Sequence, residues 1–210
     1  SSYVVADGTL DISGTSGSSI VSLSSSGVGV GGVSLGAQTL TITNGAHTFY
    51  GVIADGGVGG GSGGGLALSD GRQELAGVNT FTGITQINGG TLVISAEDNL
   101  GTVPITATSN ALTLNGGVLL LEGTTNVVSL SANRGIALGA SGGGVAATSG
   151  NSLAIAGVIS GSSSPLFTIN SDGQAGTVKL SGLSTYAGAT TASGGTLTLV
   201  GVGNLGNPDS

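Results

Sequence analysis

The chain has 210 residues, of which 38% are hydrophobic and only 6% charged, and three Lys and Arg against ten Asp and Glu give a formal net charge of −7. It has no basic run of the kind that follows phosphates, so nucleic acid is excluded as an expected partner. The lack of cysteine excludes disulfide bonds and thiolate metal sites.

Short stretches in which apolar and polar residues alternate recur from the N-terminus to the C-terminus. This period of two predicts half-buried strands, and the sparse aromatic residues indicate an interior of thin layers of Val, Ile, Leu and Ala. The clearest examples are Thr9–Ile12, Thr39–Ile42, Thr91–Ile94, Ser152–Ile155 and Thr196–Leu199.

Three other kinds of segment stand out along the chain. Residues 56–65, GGVGGGSGGG, are predicted to form a flexible loop extruded from the fold. Ser95–Leu100 is the only helix-like segment, and it is short. The longest aliphatic run, Val118–Leu121, is far below the roughly 20 residues that cross a bilayer, so no membrane insertion is expected.

A 21-residue block, Phe81–Gly101, returns without gaps 105 residues later as Tyr186–Gly206, with nine identical positions. An offset of 105 divides into five units of about 21 residues, the coil length expected of a parallel β-helix. We therefore predict an all-β fold: one β-solenoid over residues 1–210 with roughly ten rungs. An antiparallel sandwich or barrel is the competing interpretation, although such folds rarely repeat a block of this length.

The two copies also match a known motif. They read LAGVNTFTGITQINGGTLVI at Leu75–Ile94 and LSGLSTYAGATTASGGTLTL at Leu180–Leu199, within repeat copies at 75–101 and 180–206. This pattern resembles the autotransporter-associated β-strand repeat of type V secreted passenger regions, with Asn79 kept in the first copy and Ser184 in its place in the second.

The resemblance implies a right-handed parallel β-helix that is displayed on the bacterial outer membrane or secreted after passage through a C-terminal β-barrel. Neither a signal peptide nor that barrel is expected within these 210 residues. The passenger would be a virulence or biofilm factor.

Catalytic chemistry has little support in the sequence, and we predict no enzyme, no catalytic residue, no cofactor and no metal site. Polysaccharide hydrolases and lyases on β-helices are the strongest enzymatic alternative, but they need clustered carboxylates or a carboxylate-bound calcium with a basic residue. Glu97 and Asp98 are the only adjacent acidic pair, and Arg72, Arg134 and Lys179 lie far apart in sequence.

One aromatic cluster, His47, Phe49 and Tyr50 in AHTFYG, is a candidate binding patch. The alternative is that Phe49 or Tyr50 fills a corner of a rung. Phe81 and Tyr186 occupy equivalent places in the two copies, which favours a packing role for both.

We expect a non-enzymatic passenger that acts by adhesion or self-association, with a host-cell protein, a matrix protein, a glycan or a second copy as partner. A structural spacer that presents another module is the alternative, and glycan processing is a third class.

Overall fold

The computed structural model describes residues 4–5, 7–161, 165–201 and 205–206. The chain divides into two compact units, Ser1–Val103 and Pro104–Ser210. The described residues form short β-strands and one 3₁₀ helix, Glu97–Leu100, within the predicted helix-like segment. The predicted all-β class is therefore confirmed.

The first unit contains twelve strands among its described residues. They are β1 Val4–Val5, β2 Thr9–Asp11, β3 Ser18–Ile20, β4 Leu23–Ser24, β5 Gly32–Ser34, β6 Thr39–Ile42, β7 Thr48–Phe49, β8 Val52–Ala54, β9 Gly65–Leu68, β10 Arg72–Leu75, β11 Thr85–Ile87 and β12 Thr91–Ile94.

Every strand pairing described in this unit is parallel, and consecutive strands belong to different sheets. The stacked runs are β3-β6-β9-β11, β2-β5-β8, β7-β10-β12 and the pair β1-β4. The chain thus passes through three sheets before it returns one layer along, which is the path of a three-sided parallel solenoid. The antiparallel alternative is wrong.

The core of this unit consists of aliphatic columns at right angles to the strands. Ile20, Ile42, Leu68 and Ile87 are aligned by register on four successive strands, and all four side chains are buried. The outward neighbours Ser19 and Thr41 are aligned in the same way, and Ser19 is exposed while Thr41 is half-buried. The alternation in the sequence therefore sets which side chains stack inside.

The second unit repeats this plan with eleven described strands. They are β13 Thr108–Leu114, β14 Val118–Leu121, β15 Val127–Leu130, β16 Arg134–Leu138, β17 Gly143–Ala147, β18 Ser152–Ile155, β19 Ile159–Ser160, β20 Phe167–Ile169, β21 Thr177–Leu180, β22 Thr190–Ala192 and β23 Thr196–Leu199. Within it the parallel runs are β13-β16-β19, β14-β17-β20-β22 and β15-β18-β21-β23.

Coils of different length are stacked in the same strand register. The coil that joins Gln73 to its partner Leu92 is shorter than the coil that joins Leu40 to its partner Leu66. The longest run in each unit stacks four strands, which gives about 8 turns among the described residues. The predicted count of roughly ten rungs is not confirmed, because many coils are longer than the repeat unit on which that count was based.

The glycine-rich segment forms what we call the glycine strap, residues 55–64, between β8 and β9. It is not extruded as predicted but hydrogen-bonded to earlier coils. The amide of Val58 donates to Asp11 Oδ2 (2.7 Å), and the amide of Gly59 donates to Ser13 Oγ (2.8 Å). An added Cβ at Gly57 or Gly59 would overlap Asp11 or Ser13, so glycine here permits close packing.

Candidate interaction surface

The repeated block corresponds to a short coil in each unit. Gln73 and Leu92 are paired in the first copy, and the equivalent residues Val178 and Leu197 are paired in the second. The two pairs have the same spacing along the chain. The motif therefore encodes one complete turn of the solenoid.

Glycines in the motif allow neighbouring coils to approach closely. An added Cβ at Gly83 would overlap the carbonyl oxygen of Gly63, and one at the equivalent Gly188 would overlap that of Pro165. Gly90 has a φ of 65° and passes against the backbone of Gly71. No L side chain fits such a position without a shift of the backbone.

Phe81 and Tyr186, the equivalent aromatic residues of the two copies, are both fully buried. The Tyr186 ring contacts Phe167 edge to face, with 5.6 Å between centroids and 63° between planes. The packing role predicted for these two positions is confirmed.

Asn79 links three turns of the first unit. Its Oδ1 accepts from the amide of Ile53 (2.8 Å), and its Nδ2 donates to the carbonyl oxygen of Asn99 (2.6 Å). Asn99 Nδ2 in turn donates to the carbonyl oxygen of Gly77 (3.0 Å). These amides satisfy backbone groups where the coil has no strand, as buried polar groups require.

We compared the chain with known proteins. The passenger-associated-transport-repeat family model matches residues 68–94 and 174–199, which are the two short coils. The chain carries autotransporter passenger repeats. Residues outside the repeats also have a relative: the adhesin BmaC autotransporter of Brucella suis biovar 1 (strain 1330) is 37% identical over 142 residues, 64% of this chain. The matched region is 4% of that protein. No solved structure matches the chain.

The predicted patch at His47, Phe49 and Tyr50 lies next to these passenger repeats, at β7, which pairs with β10. The structure corrects one of its members: Phe49 is fully buried and offers no surface, because the alternation along β7 turns it inward. His47 is exposed and Tyr50 half-buried. Binding by these two residues stays a prediction.

Hydrogen bonds with Ser22 and Gln73 hold His47 in place. Ser22 Oγ lies 2.9 Å from His47 Nδ1 and donates to Gln73 Oε1 (3.2 Å), while Gln73 Nε2 donates to the carbonyl oxygens of Leu23 and His47 (both 2.8 Å). Ser22 Oγ also accepts from the amide of Ala46 (3.0 Å). The side-chain amide of Gln73 thus forms hydrogen bonds to the backbone of neighbouring coils, as a backbone peptide group would.

An apolar feature that the sequence analysis missed lies within the passenger repeats. Val78 and Leu183, at equivalent positions, are 60% and 66% exposed, and each follows a glycine that packs on the preceding coil. Val52 and Val158 lie in the same position after Gly51 and Gly157 and are also exposed. Four aliphatic residues in matching exposed places could have been found by aligning the Gly-Val and Gly-Leu steps.

Apart from the adjacent Glu97 and Asp98, the charged residues singled out in the sequence lie on different elements in the part of the chain that the structure describes. No group of three or more His, Cys, Asp or Glu could hold a metal ion there. Glu97 and Asp98 begin the 3₁₀ helix, Arg134 is only 2% exposed, and Arg72 and Lys179 belong to different units. Nor does any described helix have the length and apolar character needed to span a bilayer.

Proposed function

We propose that this chain is a non-enzymatic passenger segment of an autotransporter that acts at the cell surface or after secretion by adhesion. The observation that carries the proposal is the likeness to a Brucella protein named as an adhesin, over 64% of the chain and beyond the repeats themselves. The right-handed sense of the coil, display on the outer membrane and self-association belong to the same proposal.

The surface chemistry supports contact rather than turnover. Val78 and Leu183 offer exposed aliphatic side chains at a corner of each unit, while the Asp11 and Asp55 carboxylates accept bonds from backbone amides and hydroxyls of their own unit. Both carboxylates therefore have roles in holding the fold of their own unit. Exposed apolar side chains that recur at equivalent places of a repeat can serve as protein contacts.

The experiment uses beads coated with the purified chain and scores binding to host cells, to matrix proteins, to a glycan panel and to beads carrying the same chain. The test variant is Val78→Ser combined with Leu183→Ser. Val28→Ser is the matched control, because Val28 is 83% exposed and lies outside the repeats. Adhesion predicts binding above uncoated beads that the double variant lowers and the control leaves unchanged. Absence of binding on every surface would contradict it.

A structural spacer is the second candidate. It is favoured by the fact that the glycines, Asn79 and Phe81 of the passenger repeat all serve the packing of one coil on the next. For a spacer, the chain binds nothing in the bead assay, and the longer protein keeps its activity when these surface residues are changed. Incubation with polysaccharides tests the third class, since a hydrolase or lyase would release new ends.

A further inference from the structure

Two carboxylates of the first unit hold the glycine strap. Asp11 Oδ1 accepts from the amide (2.9 Å) and hydroxyl (2.5 Å) of Ser13, and its Oδ2 accepts from the Val58 amide. At the other end of the strap, Asp55 accepts from the amides of Gly64 (3.0 Å) and Gly63 (3.1 Å) and from the hydroxyl of Thr82 (2.6 Å). Each carboxylate therefore ties a piece of the strap to another turn of the chain.

The strap crosses two earlier coils on its way. An added Cβ at Gly57 would meet Asp11 and Ser13, and an added Cβ at Gly61 would meet Ala37. One at Gly36 would overlap the carbonyl oxygen of Gly60. The strap thus lies against residues that follow β2 and β5, and it links three successive layers.

The strap has further polar bonds, such as those from the Gly59 amide to Ser13 Oγ and from the Gly56 amide to the carbonyl oxygen of Gly61, but it lacks apolar packing of its own. Seven of its ten residues are glycine, and its one aliphatic side chain, Val58, is 99% exposed. It buries no apolar side chain, so the hydrophobic effect contributes little to its position. Glycine also loses the most conformational freedom on ordering, which favours the open strap.

We propose that the glycine strap is a carboxylate-held latch: ionised Asp11 and Asp55 keep it closed over the first coils, and loss of the Asp11 charge releases its Val58 end. Release uncovers the corner at Ser13 and Gly36 without unfolding the aliphatic columns. Protonation of Asp11 turns one of its two acceptor oxygens into a hydroxyl, and the neutral carboxyl then cannot accept all three bonds from Ser13 and Val58.

The direction of the pH dependence follows from the same contacts. The Ser13 hydroxyl, followed by the amides of Val58 and Ser13, holds the pKa of Asp11 below its ordinary value of 3.8. A carboxyl with a lowered pKa stabilises the closed state above its ordinary pKa, and this contribution is lost as the pH falls through the lowered value. Among the described residues, Asp11 and Asp55 are the titratable groups for which hydrogen bonds from strap amides are seen.

The experiment is site-resolved amide hydrogen exchange on the whole 210-residue chain. At about pH 6, Asp11→Ala should speed exchange at Val58 on the order of tenfold, because a charge-assisted bond is lost, and should also speed it at Gly59, whose acceptor Ser13 Oγ is itself bonded to Asp11. Asp55→Ala should do the same at Gly64, with a smaller effect at Gly63, whose amide also donates to Thr82 Oγ1. Asp70→Ala is the matched control, since the bond described for that carboxylate is from the amide of Gly71 beside it and not from the strap, and it should leave the strap unchanged.

Acid release is tested by comparing the native chain with Asp11→Ala at each pH, which cancels the intrinsic pH dependence of exchange. The difference at Val58 should decline once the pH falls below the ordinary pKa of 3.8 and vanish below the lowered pKa. The Asn88 amide, bonded to the carbonyl oxygen of Leu68, should stay protected throughout. Unchanged exchange in Asp11→Ala, a difference that persists in acid, or simultaneous loss of protection at Asn88 would each overturn the latch.

Discussion

The phenol oxygen of Tyr186 lies 2.5 Å from the hydroxyl of Thr190, and the equivalent pair in the first repeat lacks this bond. There, Phe81 has no hydroxyl, and Thr85 Oγ1 is buried without a hydrogen-bond partner. The threonine hydroxyl is therefore hydrogen-bonded in the second repeat and unpaired in the first. A buried hydroxyl without a partner lowers the stability of the fold.

This difference predicts opposite effects of the same substitution in the two repeats. Thr85→Val should raise the free energy of unfolding by about 1 kcal/mol, because an unpaired hydroxyl is replaced by a methyl group of similar shape. Thr190→Val should lower it by about 1–2 kcal/mol, because the Tyr186 hydroxyl then loses its partner. Urea denaturation followed by circular dichroism measures both. Equal effects of the same sign would contradict the assignment of Thr85 as unpaired.

Gly90→Ala should be far more costly than Gly60→Ala. Both glycines have a φ of 65°, but an added Cβ at Gly90 would overlap the backbone of Gly71, whereas nothing lies within 4 Å of one at Gly60. We expect about 1 kcal/mol for Gly60→Ala from its left-handed backbone and roughly 3 kcal/mol or more for Gly90→Ala. Thermal denaturation of the two variants isolates the cost of the coil contact. A similar loss in both would mean that backbone conformation alone matters.

Asn79→Ala should destabilise the first unit by about 2–4 kcal/mol, because it leaves the Ile53 amide and the Asn99 carbonyl without their side-chain partner. Asn79→Ser, which introduces the residue found at position 184, keeps a hydroxyl and should cost less. The readout is the urea midpoint together with exchange at the Ile53 amide. The prediction fails if Ile53 stays as protected in Asn79→Ala as in the native chain.

Leu92→Ala should cost about 2–5 kcal/mol, since Leu92 is only 1% exposed and its removal leaves a cavity between coils. Ser19→Ala is the control on an outward position of β3, and we expect a change within about 0.5 kcal/mol. Denaturant titration of both variants checks whether the aliphatic columns carry the stability of the fold. A cost for Leu92→Ala no larger than that of the control would show that they do not.

The strands of this fold were easier to predict from the sequence than the segments that connect them. Alternation at Thr39–Ile42 and Thr91–Ile94 placed Leu40, Ile42, Leu92 and Ile94 inside, as the structure confirms, because strand periodicity is a local property. The strap was wrongly expected to extend from the fold. Its partners Asp11 and Ser13 lie two coils earlier in the chain, and composition alone does not reveal which donors a distant carboxylate will meet.

The candidate surface was predicted only in part. His47 and Tyr50 are accessible as expected, but Phe49 belongs to the core, and the alternation of Thr48 and Phe49 was the signal for it. Val78 and Leu183 were overlooked because a single exposed aliphatic residue is ordinary in any sequence. Their equivalence becomes meaningful once Gly77 and Gly182 are seen to pack on the coil before them.

Short and long turns, such as those that end at Leu92 and Leu66, are stacked in the same register within one unit. The extra residues of the longer turn leave the interior untouched, since they are inserted only where one sheet gives way to the next. In such a scaffold the inward positions of the strands must stay apolar, whereas the connections between sheets are free to vary in length and sequence. Insertions at these junctions can therefore change the outer shape of the solenoid while the same hydrophobic stack is kept.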